Sequence, residues 1–167
     1  MKSPNQHTTT PTPLDRDATE LHRALTDLVR VYQFRDRKRI CCHDISVTQC
    51  YALDVLVREA PVALRRLAEA LYLDNSTASR VMDSLERKGY ARRSPDPADR
   101  RAVLLESTVE GQALYSRIDR SMIEEQKQLI EEFDPEVRRA TAMLIARLAR
   151  AAHDRFSNSC CVTLIDE

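Results

Sequence analysis

Residues 74–101 read DNSTASRVMDSLERKGYARRSPDPADRR, and the change of pattern inside this stretch decides the fold. Asp74 is a residue type that caps helix N-termini, because its carboxylate can accept the first orphan amides. Ala78, Val81, Met82 and Leu85 then recur at helical spacing and form one apolar stripe. The spacing predicts a helix to about Lys88, with Gly89 in the left-handed position beyond its end. After Gly89 the period shortens. Tyr90 to Ser94 and Arg101 to Glu106 read as two short strands around the turn-rich polar loop Pro95 to Arg100. A helix followed at once by a hairpin is therefore expected.

Upstream, Ser46 stands three residues before Gln49, the spacing of a capping box, and opens a helix whose inner face would hold Val47, Cys50, Leu53, Leu56 and Val57. Pro61 ends it or marks a short extended link. A short helix follows from about Leu64 to Leu71. A long first helix spans Leu14 to about Arg39, with Leu14, Ala18, Leu21, Leu25, Leu28 and Tyr32 in one narrow stripe of the kind that packs on a partner helix. Downstream, Thr108 caps a fifth helix to about Ile130. Asp134 caps a sixth, with Pro135 in the first helical position and a stripe at Val137, Ala140, Leu144, Leu148 and Ala151.

The fold class expected is mainly α with a small β wing, a winged helix-turn-helix. The expected organisation is a disordered tail at 1–13, a helical dimerisation domain from 14–45 and 108–156, a winged-helix domain at 46–107, and a tail at 157–167. The 26 basic and 26 acidic residues cancel, so net charge gives no reason to expect nucleic acid. Placement does. Residues 74–101 hold seven bases against five acids, and residues 119–136 hold seven acids against two bases. No segment approaches the apolar length of a membrane span or the pattern of a signal peptide, so no membrane partner and a cytoplasmic location are expected.

If the apolar stripe of the fourth helix faces inward, Ser76, Arg80, Asp83 and Arg87 face outward, flanked by Thr77 and Ser79. Arg can fork onto guanine, and hydroxyls can meet bases or phosphates. The candidate DNA-binding residues are therefore Ser76, Thr77, Ser79 and Arg80.

Ser46–Leu53, Leu67–Leu71, Asp74–Arg80, Leu85–Tyr90, Arg92-Arg93, Asp96–Arg101 and Thr108–Gly111 together resemble the MarR family of transcriptional regulators. The Asp-Pro-Ala-Asp-Arg-Arg wing after Lys-Gly-Tyr is the most specific part. The resemblance implies a homodimer whose first, fifth and sixth helices interlock, and two heads that bind a pseudo-palindrome in double-stranded DNA. It implies repression relieved by an effector or by cysteine oxidation. It also implies a wing arginine in the minor groove, here Arg100 or Arg101, with Asp96 or Asp99 steadying the turn through an ion pair.

Cys41, Cys42, Cys50, Cys160 and Cys161 include two adjacent pairs. Soft thiophilic ions take two or three thiolates. Cys50 sits in a first helical turn, where the dipole would favour a thiolate. The expected function is a repressor released when these thiolates bind arsenite or a similar ion, with no obligatory cofactor. The alternatives are a repressor responding to oxidation or to a small aromatic ligand, and an interaction module without DNA binding. His43 beside the cysteines is an auxiliary ligand at most. No oxyanion or substrate pocket is indicated, so an enzyme is not expected.

Overall fold

A computed structural model describes residues 11–99 and 102–159. The chain forms two compact units, one ending at Asp119 and one beginning at Arg120.

In the first unit, α1 runs Pro13–Ile40 and passes through a single 3-10 turn, Cys41–His43, to α2, Val47–Glu59. Ser46 and Gln49 form the capping box. The Ser46 hydroxyl accepts the Gln49 amide, and the Gln49 side chain accepts the Ser46 amide at 3.0 Å. A two-residue strand β1, Val62–Ala63, leads into α3, Leu64–Ala70, and then α4, Asn75–Arg87. Strands β2, Ala91–Pro95, and β3, Val103–Ser107, form the wing. The sheet is antiparallel in the order β1-β3-β2, with Val62 opposite Leu105 and Arg93 opposite Leu105 on the other side. β1 lies in the stretch expected to be a plain link. Two residues are too few to show a period, and only pairing with β3 makes them a strand.

The core gathers Leu53 and Leu56 of α2, Leu67 of α3, Met82 and Leu85 of α4, Leu105 of β3, and Leu114 and Ile118 of α5, Val109–Ile130. Val57, expected on the inner face of α2, is exposed, and Ala52 and Val55 are buried in its place. The Tyr115 hydroxyl of α5 donates to Asp54 of α2, and Arg58 pairs with the same carboxylate at 2.6 Å. Gly89 adopts φ 75° beyond α4, and Tyr90 donates its amide back to the Leu85 carbonyl, closing the helix as expected.

The N-terminal part of α5 lies in the first unit and the rest in the second, which also holds α6, Pro135–Ser159. α6 continues three residues into the stretch expected to be a tail. Cys160 and Cys161 lie outside the described residues. Among the described residues, no helix is long and apolar enough to cross a membrane.

Candidate nucleic-acid interface

Ala78, Met82 and Leu85 are fully buried, and this anchors α4 with its opposite face outward. Ser76, Arg80, Asp83 and Arg87 are exposed there, with Thr77 and Ser79 half-buried beside them. Arg80 has no ion-pair partner among the described residues. Four of the expected DNA-binding residues therefore sit together on the first two turns of one helix. Arg100 and Arg101 lie outside the described residues.

Asp74 constrains two of the four. Its carboxylate accepts the Ser76 hydroxyl at 2.5 Å, the Thr77 hydroxyl at 2.7 Å and the Thr77 amide at 2.9 Å. These bonds, led by that from Ser76, hold its carboxyl well below the usual carboxylate range. Each hydroxyl donates its one hydrogen inward and so presents only lone pairs outward. In this arrangement Ser76 and Thr77 can accept from a base amino group but cannot donate to a phosphate. Arg80 and Ser79 have no such constraint.

The basic excess around the hairpin is smaller than a count of residues suggests. Arg92 pairs with its cross-strand partner Glu106 at 2.6 Å. Arg93 holds Asp83 at 2.6 Å and also Glu86. Lys88 donates to the Asp44 carbonyl. Arg87 donates to the Asp83 carbonyl at 3.4 Å, so four of the five described bases of this stretch are engaged within the chain. In the wing loop, Asp96 accepts the Ala98 amide at 2.8 Å and donates its own amide to Ala102 at 3.1 Å. It steadies the turn through backbone bonds.

The cysteines divide. Cys42 is exposed, and its Sγ donates to the Lys38 carbonyl at 3.3 Å. Cys50 is 4% exposed on the core face of α2. Burial, then the charges of Asp54, Asp36 and Asp119, push its thiol up to about 11. The expected thiolate is a neutral thiol, because desolvation and three carboxylates outweigh the helix dipole. Among the described residues, no group of three His, Cys, Asp or Glu could hold a metal ion. The side chain of Cys41, like Cys160 and Cys161, lies outside the described set.

Peptide mapping after brief alkylation at pH 7.5 should find Cys42 modified and Cys50 protected until the protein is unfolded. Equal labelling of both would contradict this burial. Cys50 also sets a pH limit. Its folded-state pKa is raised, so its contribution is complete below the unfolded value. That contribution declines as pH climbs from 9.0 towards about 11.

A cleft of about 530 Å³ lies between α1 and α2, and its lining, Val29, Tyr32, Asp36, Val47 and Tyr51 among others, was not named by sequence reasoning. Asp36 is 6% exposed. It accepts Arg35 Nη2 at 2.7 Å and the Tyr51 hydroxyl at 3.1 Å, while the Arg35 guanidinium stacks 3.9 Å from the Tyr32 ring centre. One signal was available. Asp36 falls one turn beyond Tyr32 on the apolar stripe of α1, where an acid needs a partner.

Residues 43–102 match the MarR family. The chain is 33% identical over 95 residues to the HTH-type transcriptional regulator PecS of Dickeya dadantii, a match covering 56% of this chain and 57% of PecS. It therefore spans little more than half the length of this relative. Streptococcus pneumoniae FabT, solved in complex with DNA, superposes with a TM-score of 0.71 at 20% identity over 82% of this chain and 98% of FabT. The transcriptional regulator PcaV of Streptomyces coelicolor, solved with its natural ligand, gives 0.59 at 26% identity over 75% of this chain and 91% of PcaV. PecS and PcaV are transcriptional regulators. With helix order, capped fourth helix and wing in place, residues 43–102 carry the pattern of the MarR family.

Proposed function

We propose that this protein is a homodimeric DNA-binding transcriptional regulator, acting as a repressor on a pseudo-palindromic duplex. The observation that carries this reading is the exposed first half of α4. Ser76, Thr77, Ser79 and Arg80 lie together there, beside a hairpin that supplies Arg100 or Arg101. The apolar stripes support the dimer. Leu21, Leu25 and Leu28 of α1, and Leu144 and Leu148 of α6, are each more than a third exposed in the single chain, and a second copy would cover them.

Fluorescence anisotropy with genomic duplexes at low salt tests the DNA reading, because phosphate contacts weaken steeply with salt. The wild-type dimer should bind. Arg80→Ala should weaken specific binding by about 1–3 kcal/mol, the worth of one bidentate base contact. Absence of binding by the wild-type protein at low salt would instead favour an interaction module.

For the releasing signal, the α1–α2 cleft favours a small planar effector that stacks near Tyr32 and Tyr51. A thiol-based response to arsenite or to oxidation rests on exposed Cys42, with Cys41, Cys160 and Cys161 as further thiols and without Cys50. Mass spectrometry of reduced protein with arsenite separates the two readings. A bound arsenic atom, and loss of DNA release in a Cys41→Ser/Cys42→Ser variant, would favour the thiol reading.

A further inference from the structure

β2 alternates, so Ala91 and Arg93 share the sheet face turned toward α4 while Arg92 faces away. Ala91 is buried, and the Arg93 side chain is 28% exposed. Its guanidinium spans two acids one helical turn apart on α4, taking Asp83 Oδ1 through Nη2 at 2.6 Å and Glu86 Oε2 through Nη1. The planar fork of arginine suits this double contact, whereas lysine would offer a single point charge. Among the described residues Arg92 pairs with Glu106, within the sheet, so it holds the hairpin together without tying it to the helix.

The remaining ties between hairpin and α4 are short-range. Gly89 and Tyr90 form the joint, with Gly89 in the left-handed region, a conformation that fixes direction only locally. Beyond that joint β1 flanks β3 at Leu104 and Leu105, and past them the pair Pro95 and Val103 extends as a two-stranded ribbon. Arg93 is the charged contact that braces it against the recognition helix partway along.

We propose that Arg93 is a positioning residue. It fixes the angle between the wing and α4, so that the wing tip and the Arg80 face can engage one duplex together. It touches no DNA itself. The inference rests on the DNA-binding reading above and adds a residue to it.

The test compares wild-type, Arg93→Gln, Arg93→Lys and the uncharged triple variant Asp83→Asn/Glu86→Gln/Arg93→Gln in the full-length dimer. Amide exchange is read without DNA, and affinity is read across a salt series. In Arg93→Gln, exchange across 91–107 should quicken while α2 is unchanged, which shows that the fold is retained. DNA affinity should fall roughly tenfold, and the salt slope should shrink by about one phosphate contact as the wing disengages. Arg93→Lys should recover part of both. The triple variant should stay weak, because it removes like-charge repulsion without restoring the brace.

If the wild-type protein binds DNA but Arg93→Gln keeps its affinity and slope, this inference alone fails. Full recovery in the triple variant also overturns it, leaving charge neutralisation as the role of Arg93. If the wild-type protein binds no DNA, the regulator reading fails and this inference fails with it.

Discussion

Gly111→Ala should destabilise the protein by about 3 kcal/mol or more, at the upper end of overpacking losses. A Cβ built at Gly111 would stand 2.0 Å from the Tyr90 carbonyl oxygen and 2.9 Å from its carbon. Both are backbone atoms, so no rotamer change relieves the clash. The same carbonyl accepts the Thr108 amide at 3.1 Å, and the Thr108 hydroxyl donates to the Gly89 carbonyl at 2.7 Å while accepting the Gly111 amide at 3.0 Å. Gly111 therefore lies where the end of α4, the root of the wing and the first turn of α5 meet. Moving any one of them breaks bonds to the others.

Gly89→Ala is the informative contrast. A Cβ there meets nothing within 4 Å, and its cost is the left-handed φ of 75° alone, about 1 kcal/mol. Urea unfolding at matched protein concentration measures both, since any self-association would make stability depend on concentration. Similar losses for the two variants would show that the backbone at Tyr90 yields, and that the close approach is not a constraint.

Asp36→Ala should cost about 3 kcal/mol, the scale of breaking a buried charge pair by removing one member. Asp36 takes two bonds from Arg35, at 3.0 and 2.7 Å, and one from Tyr51. Deleting the carboxylate leaves a guanidinium with only 19% of its side chain exposed and no counter-charge. Tyr51→Phe removes only the third bond and should cost about 1 kcal/mol, the usual net worth of one hydrogen bond. Denaturant titrations of the two variants give the comparison. If Asp36→Ala loses no more than Tyr51→Phe, the Arg35 contact is a surface pair with no structural weight. Because these groups line the α1–α2 cleft, both variants should also weaken any effector seated there.

The elements legible in the sequence are those whose causes are local. The Ser46–Gln49 capping box, the Asp74 cap and the Gly89 stop each depend on groups within a few positions of one another, so spacing alone predicts them. The inward stripe of α4 follows from helical period, and with it the outward placement of Ser76 and Arg80. Matters decided between distant residues could not be read this way. β1 exists only because Val62 and Ala63 meet β3 some 40 positions later.

Charges show the division most sharply. The sequence by itself determined that bases concentrate around the hairpin. Only the tertiary structure decided that Arg92, Arg93 and Lys88 are engaged inside the chain while Arg80 has no ion-pair partner among the described residues. It likewise decided that Cys50 is a neutral core thiol and Cys42 a surface one. Helix periodicity is a property of the chain's own geometry, whereas pairing and desolvation are set by whichever partners folding brings alongside.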